Sequence, residues 1–209
     1  MQVKKEEVRD KLLEAGEIIF QEVGFEKASL RKIVKEAGTT IGNFYNYFET
    51  KEELFSILVE EEHQKFMYFL EHHEDHDDNH PDELWDVNDV NIWNDGLTEF
   101  IAGLLPVFTP RFVLLVDKSE GTKYDGFKQS LIEFFEEHFL DHVKQFGNNT
   151  YNPYARVVST MFVNGLVDLI KQFMNDESLG HLIANHFMFF TIGTMGLIKN
   201  DKLNNNTGG

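Results

Sequence analysis

Within the first 54 residues, apolar side chains recur at helical spacing and are repeatedly cut off by glycine and hydroxyl residues. Val8, Leu12, Ala15, Gly16, Ile19, Phe20 and Val23 follow the i, i+3, i+4, i+7 pattern that lines one face of a helix. Gly24 follows as a C-terminal stop. Ser29 is an N-cap for "LRKIVKEA", which ends at Gly38, and Thr40 caps "IGNFYNYF". Thr50, with Glu53 three positions later, forms a capping box that opens a longer helix through about His73. The pattern predicts a three-helix head followed by a long helix.

Helical patterning resumes at "NDGLTEFIAGLLPVF" and continues through "YDGFKQSLIEFFEEHFLDHVKQF", "NPYARVVSTMFVNGLVDLIKQFM" and "SLGHLIANHFMFFTIGTMGLI". No segment carries a convincing two-residue strand period. The expected fold is all-α with about nine helices: a helix-turn-helix head over 1–50, a larger helical body over 51–200, and a disordered tail over 201–209. The acidic stretch 71–93, rich in His and Asn, reads as a loop with at most one helical turn.

Charge narrows what the head and body can do. Residues 1 to 51 hold nine Lys+Arg and nine Asp+Glu, so the other 158 residues carry the entire net charge of −17. A phosphate-binding surface therefore belongs in the first quarter, and the rest would repel DNA. With no cysteine, the chain has no disulfide framework and no thiolate site. No uninterrupted apolar run approaches the ~20 residues of a membrane span, and the charged N-terminus lacks a signal peptide. A cytoplasmic protein with no membrane partner is expected.

The run "TTIGNFYNYF" mixes four aromatics with two asparagines and a glycine. On a helix turning about 100° per residue, with Thr40 at zero, Ile41, Phe44 and Phe48 fall between about 40° and 100°. Gly42, Asn43, Asn46 and Tyr47 fall between about 200° and 340°, with Tyr45 on the flank at about 140°. One face is apolar and can dock on the first two helices. The other presents amides, a hydroxyl and bare backbone. In a helix-turn-helix the second helix reads base edges with such groups. Asparagine donates and accepts together against adenine, and glycine permits close backbone approach. Lys51 opens the next helix, where a cation and main-chain N–H groups can hold a phosphate.

These residues carry a resemblance. "EEVRDKLLEAGEIIFQEVGFEKASLRKIVKEAG" running into "TTIGNFYNYFETKEEL" resembles the head of tetracycline-repressor (TetR) family regulators, with Gly24-Phe25, Ser29, Gly38, Thr40, Gly42, Tyr45, Phe48, Lys51 and Leu54 at matching places. Thr39 and Ile41 depart from it: the family more often has an apolar residue at the first place and a polar one at the second. The resemblance implies a homodimeric repressor on a palindromic double-stranded DNA operator, released by a small-molecule effector. By position it makes Ser29, Arg31, Thr40, Gly42, Asn43, Tyr45, Asn46, Tyr47 and Lys51 the candidate DNA contacts. Tyr45 and Lys51 would hold phosphates; Arg31, Asn43 and Asn46 would read bases.

The body is rich in phenylalanine, with sixteen of twenty beyond residue 51. Most such stripes are core. The cavity that the resemblance implies would be lined by Phe66, Phe69, Phe100, Leu104, Phe112, Phe134, Phe135 and Phe162, suiting a lipophilic or aromatic ligand. Small residues among large apolar ones in the last two helices point to a subunit interface using Val158, Phe162, Gly165, Leu169, Ile183, Phe187, Phe190 and Thr194. Five histidines lie between 63 and 80 beside Asp and Glu. His72 with His76, and His138 with His142, sit one helical turn apart, a weak metal-ligand pattern. The alternatives are a metal-responsive regulator or metal-dependent enzyme, against a plain solvated acidic segment. No HExxH, P-loop, GxSxG or dinucleotide fingerprint is present, so neither an enzyme nor a cofactor is expected.

Overall fold

A computed structural model describes residues 2–72, 105–145 and 154–206. Among them are eight α-helices and one 3-10 turn, with no strand: α1 (Gln2–Lys27), α2 (Leu30–Glu36), α3 (Ile41–Phe44), α4 (Lys51–His72), the 3-10 turn Leu105–Val107, α5 (Pro110–Asp117), α6 (Phe127–Gln145), α7 (Tyr154–Phe173) and α8 (Leu179–Asn206). The all-α expectation holds. The helical backbone of α8 runs to Asn206, into the stretch expected as a disordered tail. The loop expected at 71–93 lies, beyond His72, outside the described residues. The chain forms two compact units, Met1–Leu70 with Val107–Lys128, and Glu71–Pro106 with Gln129–Gly209.

The first unit is built around the predicted stripe. Leu12, Ala15, Ile19 and Phe20 of α1 are buried with Ile33 and Val34 of α2, and with Phe44 and Phe48. Leu54, Phe55, Leu58 and Val59 of α4 and Leu114 and Leu115 of α5 belong to the same core, so its packing continues past residue 50. Burying each of the larger side chains contributes about 1.5–3 kcal/mol. Gly24 breaks α1 with φ 79° and ψ 165°, a left-handed φ that glycine adopts without steric cost. Beyond it the Phe25 N–H donates to the Lys118 carbonyl at 2.9 Å, just past the end of α5. Thr109 caps α5, accepting from the Arg111 and Phe112 N–H groups, and its hydroxyl donates to Glu62 at 2.8 Å.

Glu60 of α4 is the hub of a polar cluster on this unit. It accepts from the Tyr124 hydroxyl at 2.5 Å and from Lys123 at 3.1 Å. The Tyr124 hydrogen bond is the largest influence holding its carboxyl at about 2. His63 packs its ring on Tyr124 and Phe127, with centroids 5.1 and 5.5 Å away, and burial pushes its pKa down.

The second unit packs α7 on α8. Phe162 is its centre, with ring centroids 4.5 Å from Phe135, 4.9 Å from Phe187 and 5.4 Å from Phe190. His186 stacks on Phe162 at 5.0 Å and its Nε2 meets the Phe162 carbonyl at 2.8 Å. The ring fits because Gly165 has no Cβ: one built there would lie 2.5 Å from His186 Cε1.

The residues of the expected interface take different places in this packing. Phe162, Ile183 and Phe187 are buried within the unit. Val158, Gly165, Leu169 and Phe190 are half-buried, and the Thr194 side chain lies outside the described residues. Among the described residues of this unit, the exposed apolar side chains include Tyr154, Val157 and Met161 on α7 and Phe189 and Ile192 on α8. The small residues permit close approach within the chain, a use the sequence pattern could not separate from an intersubunit one.

Gly165→Ala is expected to lower stability by about 1–3 kcal/mol, the usual cost of overpacking, despite alanine's better helix propensity. The thermal midpoint reads this, and an unchanged or raised midpoint would show that His186 yields freely. Glu60 has a folded pKa below its ordinary 4.5, so its stabilisation is complete above that value and is lost as pH falls towards about 2. Tyr124→Phe should flatten this acid loss in urea titrations between those pH values; an unchanged profile would remove Tyr124 as its cause.

Candidate nucleic-acid interface

The turn between α2 and α3 follows from Gly38 and Thr40. Gly38 has φ 66°, and the Thr39 N–H bonds back to the Val34 carbonyl at 2.8 Å. Thr40 then caps α3, its Oγ1 accepting from the Asn43 N–H at 3.2 Å. The regular helix is only four residues long. After it the Asn46 N–H bonds to the Asn43 carbonyl and the Tyr47 N–H to the Phe44 carbonyl, three-residue bonds that wind the chain more tightly.

That winding explains one correction. At about 120° per residue, the three steps after Phe44 carry Tyr47 roughly 60° further than an α-helix would. Tyr47 therefore packs partly against the head core instead of facing outward as expected. Tyr45 is the outward ring, 57% exposed, held edge-on to Phe44 at 5.4 Å. Phe44 and Phe48 are buried, as the apolar face requires.

The remaining candidates divide into presented and engaged groups. Ser29, Arg31, Thr40, Gly42, Tyr45 and Asn46 are exposed. Ser29 stands at the cap position of α2 but makes no capping bond with its side chain. A Cβ added at Gly42 would meet nothing within 4 Å, so nothing inside this chain demands glycine there. Asn43 is half-buried, donating through Nδ2 to Thr39 Oγ1 at 2.7 Å and accepting from Asn46 Nδ2 at 3.1 Å. The sequence reading did not single out Lys32 and Lys35, exposed on α2, or Arg9, whose guanidinium lies 5.8 Å from the centre of the Phe48 ring. Their charge was the available signal; that α2 packs against both α1 and α3 was not visible.

Lys51 is turned inward. Its Nζ donates to the Phe25 carbonyl at 2.6 Å and the Ala28 carbonyl at 2.9 Å, and lies 4.1 Å from the centre of the Phe25 ring. Burial pushes its pKa below the ordinary lysine value, opposed by Glu26. Two of an ammonium's three donors are thus spent within the head.

Residues 12–57 match the family model of bacterial regulatory proteins of the tetR family. The match is confined to the head of the chain. Over 65 residues it is 40% identical to the HTH-type transcriptional regulator YdgC of Bacillus subtilis, covering 31% of this chain and 33% of that one. It is 43% identical over 51 residues to YvdT, covering 24% and 26%. A longer match to YfiR, also from Bacillus subtilis, is 24% identical over 136 residues and covers 65% and 63%. The chain thus spans less than two thirds of each of these relatives. A TetR family transcriptional regulator from Chloroflexus aurantiacus has a similar fold, with TM-score 0.50 and 14% identity, covering 93% of this chain and 89% of that one.

The other expected sites are placed as follows. Of the ligand-lining set, Phe66, Phe69 and Phe112 lie in the first unit, where Phe66 and Phe112 are buried with centroids 5.6 Å apart. Phe134, Phe135 and Phe162 lie in the second, and Phe100 and Leu104 lie outside the described residues. His138 stacks on Phe134. His76 and the side chains of His72 and His142 are outside the described residues, among which no three His, Cys, Asp or Glu gather as a metal site. No described helix is long and apolar enough to cross a membrane.

Lys51→Met keeps the stem and removes the two carbonyl bonds. A hydrogen bond to a charged group contributes about 1.5–3 kcal/mol, so the head should lose about that much or more. Hydrogen exchange at the α1–α2 turn locates the loss; unchanged protection there would show that the ammonium does not hold the turn.

Proposed function

We propose that this chain is a tetR-family DNA-binding transcriptional regulator: a homodimeric repressor of a palindromic operator, released by a small lipophilic or aromatic effector. The observation that carries the DNA part is the surface around α3. It presents Asn46, Tyr45 and Thr40, with Arg31 exposed on α2, and bare backbone at Gly42 with open space beyond it. Such a surface combines donors, acceptors and a close-approach point, the requirements for reading base edges between phosphates. Arg31 and Asn46 are the proposed base readers, with Asn43 behind Asn46. Ser29, Thr40, Gly42 and Tyr45 serve backbone contact, Lys51 offers its remaining donor to a phosphate, and Tyr47 buttresses the helix.

Dimerisation is supported by the exposed stripe of Tyr154, Val157 and Met161 on α7, with Phe189 and Ile192 on α8, since apolar side chains at helical spacing gain from being covered. The effector reading rests on the phenylalanine content of both units and on the family whose model the head matches. Release would require the effector to favour a dimer with the wrong spacing between its reading helices.

Fluorescence anisotropy on duplexes enriched from a randomised pool tests the DNA reading, and failure to enrich any sequence would sink it. Gly42→Ala adds a sharper test. It clashes with nothing inside the chain and gains up to about 1 kcal/mol in helix propensity, so the fold should be as stable or more so. Operator binding should weaken by roughly tenfold or more, about 1.4 kcal/mol. If Gly42→Ala binds as tightly as the unaltered chain, no backbone approaches DNA there.

A further inference from the structure

Thr39 stands where the resembling family more often has an apolar side chain, and the structure gives its hydroxyl a partner. Thr39 Oγ1 accepts from Asn43 Nδ2 at 2.7 Å, and Asn43 Oδ1 accepts from Asn46 Nδ2 at 3.1 Å. The two links step outward, from half-buried Thr39 and Asn43 to exposed Asn46. Thr40 holds the same segment from the main chain through the Asn43 N–H.

We propose that Thr39 and Asn43 are positioning residues that orient the Asn46 amide so that it reads adenine. This rests on the DNA reading above. A carboxamide has two N–H donors and one carbonyl acceptor. With one donor given to Asn43, the exposed Asn46 keeps one N–H and its Oδ1 for a partner outside this string. One donor beside one acceptor in a plane complements adenine N7 and N6 in the major groove, whereas guanine offers two acceptors there. Turning the Asn46 amide over would set two carbonyl oxygens against each other and lose the link to Asn43. Turning both amides is chemically available, because the Thr39 hydroxyl can donate as well as accept. That reversed string would present two donors outward and select guanine. The base chosen therefore reports the polarity of the string, and removing the hydroxyl removes the anchor of either polarity.

The test uses the full chain and the duplex enriched from a random pool. Anisotropy measures binding to that duplex and to each of its single-base substitutions, for the unaltered chain and for Asn46→Ala, Thr39→Val and Thr39→Ser. Asn46→Ala should erase an adenine preference at one position of each half-site. Thr39→Val should weaken the preference at that same position by roughly fivefold or more, within the range of a good bidentate contact. It should leave other positions and the salt dependence unchanged, whereas Thr39→Ser should keep the full preference. Circular dichroism checks that each variant is folded. A guanine preference at the Asn46 position overturns the proposal, as does Thr39→Val with the preference intact or Thr39→Ser behaving like Thr39→Val. In those cases the DNA reading survives; failure of the pool to enrich any duplex removes both.

Discussion

The head depends on one ammonium group in an electrostatically awkward place. Lys51 opens α4, where the positive end of the helix dipole disfavours a cation by about 0.3–1 kcal/mol. The carbonyls of Phe25 and Ala28 outweigh that, since bonds to a charged donor contribute about 1.5–3 kcal/mol each. These carbonyls exist as acceptors because Gly24 breaks α1 and leaves main-chain oxygens in the turn before α2. Breaking the helix and placing the lysine are therefore two halves of one arrangement. Through it the end of α1, the entry to α2 and the start of α4 converge on a single Nζ.

A similar economy sets the face of α3. The helix is too short to be held by its own hydrogen bonds, since isolated short helices are marginal in water. It persists because Phe44 and Phe48 are buried in the head core and Thr40 caps it. The tightening after Phe44 moves Tyr47 into the support and leaves Tyr45 as the outward ring. The surface is thus fixed by packing beneath it, and its polar groups need not contribute to stability.

The helices, their caps and the buried faces of α1 and α3 were legible in the sequence, because apolar spacing and capping residues are local signals. Gly24, Thr40 and the pair Thr50–Glu53 act where they were expected, although the Glu53 carboxylate accepts from the Glu49 N–H, one residue before the cap. Tyr47 was misplaced because a fixed 100° step cannot foresee three-residue hydrogen bonds. The Lys51 contacts span 26 and 23 residues, beyond any local pattern. In the second unit, the sequence showed that Phe162, Gly165 and Phe187 belong to a close helix contact but not whether the partner helix was in the same chain. Periodicity gives a helix a face; it does not say what covers that face.

The charge distribution then limits how such a head can work. With no net charge over its first 51 residues and −17 in the rest, the chain has little general attraction for a polyanion, and sequence-independent binding scales with the phosphates that cations neutralise. Drawing the Lys51 ammonium into the turn lowers that attraction further. On the proposed DNA reading, discrimination comes from the few polar groups whose geometry is fixed in advance, because a weak electrostatic background does little to hold a wrong sequence. A threonine-anchored pair of amides suits that requirement: it spends neutral hydrogen bonds within the protein to hold one reading edge still.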